Sequence, residues 1–286
     1  MKKGLKVLYI TYIYFDTPSK TGSAVRPKRM YDAFFSLGCE VMLVSGITNN
    51  RKKRKAGVLQ ARKWLAENTP DICYIEPPTG PLFFSCDRNL IRKIHHLKIP
   101  IGFFYRDIYW KFSERDFKGN DVSLPARLKN IMIKAMQYRD YYMLKRCVTK
   151  FYFTADSVNK YMKMNDYGVL PPGCMERQVS KIKHDGINGI YVGGATERYG
   201  MGLLLESWLR VHADGNVKLN IVCPEAQWKL WLQEHPKYKE LPDNIQIYHL
   251  YDGEKLEKLY AAADFALIPI LKTSYNDMAL PIKLYE

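Results

Sequence analysis

Paired cysteines are missing from this chain. Its six cysteines (Cys39, Cys73, Cys86, Cys147, Cys174 and Cys223) are scattered, with no CxxC spacing and no Cys/His grouping at metal-ligand distances. That spacing argues against a disulfide framework and against a zinc site. Cys39, Cys73 and Cys223 fall inside apolar strand-like runs, where a thiol packs as a small hydrophobe, so a reducing compartment is expected. Long apolar runs are missing too, and none approaches the length of a membrane span. The opening Met-Lys-Lys-Gly-Leu-Lys enters a strand at once, too short and too soon interrupted for a signal peptide. A cytoplasmic protein is expected. Histidine is scarce: His95 and His96 sit on a helix beside lysines, His184 lies in a polar stretch, and His249 alone falls at a strand end. No Ser/His/Asp or Cys/His arrangement and no metal site can be drawn from these spacings.

What is present is size, apolar mass and positive charge. The chain has 286 residues, enough for two ordinary domains, and 47% apolar residues, enough for real cores. Its net charge of +15 is unevenly spread. Residues 1–180 carry 32 Lys and Arg against 15 Asp and Glu, and residues 181–286 carry 12 against 14. The basic field therefore belongs to the first part, where it attracts anionic lipid, nucleic acid or a phosphorylated substrate.

Apolar runs without polar alternation, as in parallel strands covered on both faces, fall at 5–15, 39–46, 71–76, 100–105 and 150–154. Helical patterns at 25–37, 54–68, 85–97 and 124–147 separate them, which predicts a doubly wound α/β sheet. A short helix at 156–163 leads to a stiff Pro-Pro-Gly turn ending at Gly173. Residues 174–188 are polar and aperiodic and read as a linker. The pattern then restarts, with strands at 189–193, 218–223, 245–250 and 264–270 and helices near 200–213, 225–234 and 253–262. The expected organisation is a first Rossmann-like domain (1–173), a linker (174–188) and a second Rossmann-like domain (189–286). Glu286 falls in what looks like the first turn of another helix, so the second domain is expected to be incomplete.

Five segments carry candidate chemistry. Gly193 and Gly194 follow a buried-strand run and precede a helix; their amides and the helix end could seat a diphosphate, with Arg198 four residues on, or they could simply form a tight turn. Lys283 and Glu286 share one helical face after Pro281 and could meet a phosphate and a ribose, or form a weak surface pair. Gly22, Ser23, Ala24, Val25 and Arg26 follow the first strand, where small residues admit substrate and Arg26 could bind an anion; a flexible βα loop is the other reading. Arg106 and Asp107, followed by Tyr109 and Trp110, stand just past a buried strand, where open α/β sheets place ligands; they could hold sugar hydroxyls, or form a structural pair that orders the loop. Helix 124–147 carries Arg127, Lys129, Lys134, Arg139, Lys145 and Arg146 with Ile131, Met132, Met136, Met143 and Leu144. It reads as an interfacial helix on an anionic leaflet, helped by the basic run 51–55, or as a core helix with a solvated loop.

These segments resemble the GT-B glycosyltransferases, in particular the retaining, nucleotide-sugar-dependent family 4. Residues 22–26 resemble the glycine-rich loop after the first strand, with Ser23 at the second glycine. Arg106 and Asp107 resemble the polar pair that meets acceptor and donor sugar. Residues 191–201 resemble the donor-phosphate loop, although Gly194 and Tyr199 stand where cations are usual. Residues 280–286 resemble the segment bearing the ribose-binding glutamate, here Glu286, and Asp277 lies beside the place of a further family glutamate, at Met278. The resemblance implies two Rossmann-like domains facing across a cleft. It implies transfer of a sugar from a UDP- or GDP-sugar to a lipid-linked or glycan acceptor with retained configuration, without cofactor or metal, in surface polysaccharide or glycolipid synthesis. Asp107, Arg106, Arg198 and Lys283 would be catalytic. Gly193, Gly194, Arg198, His249, Tyr251, Lys283 and Glu286 would bind donor, and Gly22, Ser23, Arg26 and Tyr109 would face the acceptor. The expected partners are the nucleotide-sugar, the acceptor and the inner face of an anionic membrane, and not nucleic acid. Two other readings stay open: a non-catalytic nucleotide-sugar-binding subunit, and a nucleic-acid protein suggested by charge alone.

Overall fold

The computed structural model describes residues 4–15, 22–47, 50–112, 123–173, 180–211, 217–251, 253–278 and 280, without the side chains of 22–24. The chain forms two compact units, one built on Met1–Pro172 and one on Gly173–Asn276.

In the first unit six strands, β1 (Lys6–Thr11), β2 (Glu40–Val44), β3 (Ile72–Glu76), β4 (Ile101–Tyr105), β5 (Lys150–Phe153) and β6 (Tyr167–Val169), form one sheet in the order β2-β1-β3-β4-β5-β6. Every pairing is parallel. The helices are α1 (Gly22–Ser36), α2 (Arg51–Glu67), α3 (Ser85–His96), α4 (Leu124–Cys147) and the single turn α5 (Asn159–Met162). The central strands β1, β3 and β4 are buried along nearly their whole length because both faces are covered. Val7, Tyr9, Tyr74 and Phe104 pack with Met30 and Phe34 of α1. The Tyr9 hydroxyl donates to the carbonyl of Pro27, which lies within α1. Gly168 and Val169, ahead of the Pro-Pro-Gly turn, belong to β6, where Phe153↔Val169 is in register.

The second unit restarts the pattern with β7 (Ile187–Val192), β8 (Val217–Val222), β9 (Ile245–Tyr248) and β10 (Phe265–Ala266), all parallel, in the order β10-β7-β8-β9. Its helices are α6 (Met201–Val211), α7 (Glu225–Glu234) and α8 (Glu254–Ala261). The core is aromatic, with Trp208, Trp228, Trp231 and Tyr238 around Leu205, Leu219 and Ile221. The run 264–270 pairs only at Phe265 and Ala266, so that strand is far shorter than expected. Residues 180–188 are not free linker. Ile182 N–H donates to Ala261 O, Lys181 pairs with Asp264 at 3.0 Å, and β7 begins at Ile187. The polar composition there reflects ion pairing with Asp264, whose carboxyl is held down first by the Asn188 N–H and then by Lys181.

The basic run 51–55 is likewise not a solvated loop. It forms the first turn of α2, and Arg54 is wholly buried. Its Nε lies 2.7 Å from Asp87 Oδ1, and its Nη1 donates to Thr11 O at 2.7 Å and to Ser45 O at 3.3 Å. The guanidinium also stacks on Tyr12 at 3.8 Å. One cation thus ties the C-terminal ends of β1 and β2 to α3. A buried charge is tolerated only with such partners.

Candidate functional site

Open α/β sheets bind ligands outside the strand C-termini, where the strand order reverses. In the first unit that place is between β1 and β3, because β2 lies on one side of β1 and the chain continues on the other. Thr11 and Glu76 end these strands in register. Glu76 is 3% exposed, the acidic terminus of an apolar strand. Arg26 Nε on α1 lies 3.5 Å from Glu76 Oε1, and its guanidinium sits 3.7 Å over the Phe104 ring. The Tyr74 hydroxyl donates to Glu76 Oε1 at 3.4 Å. Burial pushes the Glu76 carboxyl up, and Arg26 and then Arg106 pull it back. After β4, Arg106 faces Asp107 at 3.5 Å and donates to Thr79 Oγ1 at 3.4 Å. Tyr109 opens a 3-10 turn just beyond.

The structure therefore sets Arg26 against Glu76, a carboxylate without a motif of its own, and brings Arg106, paired with Asp107, within electrostatic reach of it. The signal was there: Glu76 is an acid closing a buried strand at a sheet's ligand-binding edge. Arg26, expected to meet an anionic ligand, already faces the Glu76 carboxylate. Gly22 and Ser23 begin α1 instead of standing in a loop ahead of it. Two arginines, two carboxylates and tyrosine rings can hold a hydroxyl-rich ligand by charge-assisted hydrogen bonds.

In the second unit the order reverses between β7 and β10. Gly193 and Gly194 follow β7 directly, so the glycine pair stands at the reversal. Its geometry differs from the expected phosphate seat in two respects. The Gly193 N–H donates to Val222 O at 2.8 Å, extending the ladder, and is unavailable to a ligand. The helix end also stands away from the pair: a 3-10 turn (Glu197–Tyr199) and Gly200 intervene before α6, which begins at Met201, close to the expected start near 200. Gly200 takes φ +74°, and a Cβ there would lie 1.7 Å from Pro269 O, so only glycine fits. The Glu197 carboxylate already lies against Gly202 in the first turn of α6, where it complements the helix dipole.

Gly194 is needed for a different close approach. A Cβ would meet the Tyr199 ring at 2.6 Å and Gln227 Oε1 at 2.9 Å. The Tyr191 hydroxyl donates to Gly194 O, and the Ala195 N–H donates to Gln227. Arg198 is exposed on the 3-10 turn, with its guanidinium 5.6 Å from the Tyr275 ring. At the ends of β8 and β9, His249 Nδ1 lies 2.9 Å from Cys223 O. A carbonyl only accepts, so Nδ1 is the donor of this hydrogen bond. Tyr251 is exposed beside it. Lys283 and Glu286 lie outside the described residues, as does Asp252; Asp277 is exposed in a 3-10 turn (Asn276–Met278).

No family profile and no curated protein matches the chain. Solved structures do. An alpha-glucosyltransferase (AGT) in complex with UDP aligns over 95% of this chain and 75% of its own, at 13% identity and a TM-score of 0.57. HepE from Anabaena in complex with UDP aligns over 92% and 73%, at 10% identity and a TM-score of 0.56. The fold is that of the GT-B glycosyltransferases. The catalytic domain of starch synthase IV from Arabidopsis thaliana, bound to ADP and acarbose, shares it at 8% identity over 95% and 79%, with a TM-score of 0.54. Within this GT-B chain each unit has its polar cluster at its own strand-order reversal.

Proposed function

We propose that the protein is a glycosyltransferase that moves a sugar from a UDP- or GDP-sugar to a lipid-linked or glycan acceptor with retained configuration, in surface polysaccharide or glycolipid synthesis. The bond from the anomeric carbon to the diphosphate breaks, a bond to an acceptor hydroxyl forms on the same face, and the nucleoside diphosphate leaves. The observation that carries this reading is a GT-B fold with a glycine turn and a cation at the reversal point of its second sheet. Arg198 and the Gly194 N–H supply positive charge where the leaving diphosphate gains negative charge, a large contribution to such catalysis. His249 and Tyr251 line the same sheet edge and face the nucleoside. Glu76, Arg106 and Asp107 in the first unit orient sugar or acceptor hydroxyls.

Titration with UDP, GDP and ADP tests the donor half. One of them binds, and Arg198→Ala weakens it by about 10- to 100-fold, the worth of a charge-assisted hydrogen bond. Binding that is indifferent to Arg198 overturns the assignment. A second reading, a nucleotide-sugar-binding subunit without turnover, is favoured by two features. Glu197 already occupies the α6 N-terminus, and the Gly193 amide is committed elsewhere. Nucleotide binding with no donor consumption in any acceptor mixture selects that reading.

A further inference from the structure

Helix α4 changes character along its length. Its C-terminal half is a core helix, burying Gln137, Asp140, Tyr141, Met143, Leu144 and Cys147. Its N-terminal half buries nothing. Leu124, Leu128, Ile131 and Met132 stand 71%, 62%, 65% and 57% exposed. These residues recur at helical spacing, so they form one continuous apolar stripe, and Tyr142 extends it at 59% exposure. Arg127 and Lys134 run along one side of the stripe and Lys129 along the other, all exposed.

The helix contains one acid, Asp140, and that carboxylate is buried, accepting from the Leu82 N–H and from Arg139. No negative charge on the helix therefore opposes an anionic partner. The same sign continues past its far end. Lys145 donates to Lys163 O, and the Lys111 ammonium lies 4.3 Å from the Tyr141 ring. Burial lowers Lys111, and Lys163 and Lys145 lower it further. Leaving four large apolar side chains together in water is unfavourable for a folded protein without a partner surface. Basic flanks on an apolar stripe match a surface with anionic heads over an apolar interior.

We propose that the N-terminal half of α4 docks this protein on an anionic lipid surface, with Leu124, Leu128, Ile131 and Met132 inserted among the acyl chains and Arg127, Lys129 and Lys134 against the headgroups. The attachment is peripheral, since no described helix is long and apolar enough to cross a membrane. It is independent of the transfer reading, which nucleotide titration of the second unit tests alone.

Cosedimentation of the full chain with phosphatidylcholine vesicles, with and without phosphatidylglycerol, reads the docking directly. The protein is expected to pellet with the phosphatidylglycerol vesicles and weakly, if at all, with the neutral ones. The triple change Arg127→Gln, Lys129→Gln and Lys134→Gln lowers the partition coefficient by about two orders of magnitude. The double change Leu128→Glu and Ile131→Glu abolishes pelleting while the thermal unfolding temperature stays that of the wild type, because neither side chain is in the core. As a second measurement, Leu128→Trp gains fluorescence quenching by brominated lipid. The proposal is overturned if wild-type protein stays in the supernatant, if the double variant pellets unchanged, or if Leu128→Trp is not quenched. A lipid-free dimer that the double variant dissolves overturns it in favour of a second copy of this chain. Binding to duplex DNA that fails in the triple variant, without vesicle binding by the wild type, overturns it in favour of nucleic acid.

Discussion

Replacing Arg54 by methionine keeps most of the side-chain volume and removes the charge. Asp87, 2% exposed, then loses its partner at 2.7 Å, and Thr11 O loses the donor that holds the end of β1. Breaking a buried pair from one side costs about 3–5 kcal/mol, because the remaining charge stays desolvated and unpaired. Asp87→Leu strands the guanidinium in the same way. Replacing both partners removes both stranded charges, so the double variant is expected within about 1–3 kcal/mol of wild type, the residue being the carbonyls left without a donor. Because the chain has two units, a single global unfolding energy is not the right measure. Amide hydrogen exchange across β1 and β2 reads the first unit alone. Each single variant should speed exchange there by about two to four powers of ten and leave β7 and β8 unchanged. If the singles exchange at nearly the wild-type rate, or the double exchanges as fast as the worse single, the buried pair is not what ties these strand ends together.

Further outcomes follow from single positions. Gly200→Ala places a Cβ on Pro269 O at a positive φ, so the second unit should unfold at a clearly lower temperature, by more than about 2 kcal/mol; Gly173→Ala, with open space around it, should be close to neutral, and equal effects would contradict the assigned backbone. For Glu76 the folded carboxyl is raised by burial, so its contribution to stability is complete below the ordinary carboxylate range and is lost as pH rises through the raised value. Thermal unfolding of wild type should therefore fall relative to Glu76→Gln across that window, and parallel profiles for the two proteins would refute the buried placement.

Much of the fold was legible because it is written in local pattern. Runs such as 72–76 and 101–105 are apolar on both faces, which only a covered parallel strand requires. The helices at 85–97, 124–147 and 225–234 were placed within a residue or so of their observed ends. Placement at a strand's C-terminal edge was legible where a glycine or a charge stands just after a strand, as at Gly194 and Arg106. Misreadings arose where identity depends on a distant neighbour. Arg54 looked like one more solvated base until α3 brought Asp87 against it. Gly193 and Gly194 looked like two open amides until β8 took the first of them.

Two βα-repeating units, their parallel strands and the basic character of the first were determined by composition and periodicity alone, since burial on both faces and net charge are sums over local residues. Which charges are spent inside the protein and which remain for a ligand was decided only by tertiary structure. Glu76, silent as a motif, becomes the centre of the first cluster because Arg26 and Arg106 reach it across the sheet edge. Leu128, silent in the sequence, joins Ile131 on an exposed surface, and Met143 and Leu144 leave it, because the described fold covers only the second half of the helix. Pairing and exposure are properties of residues far apart in the chain, and no local pattern encodes them.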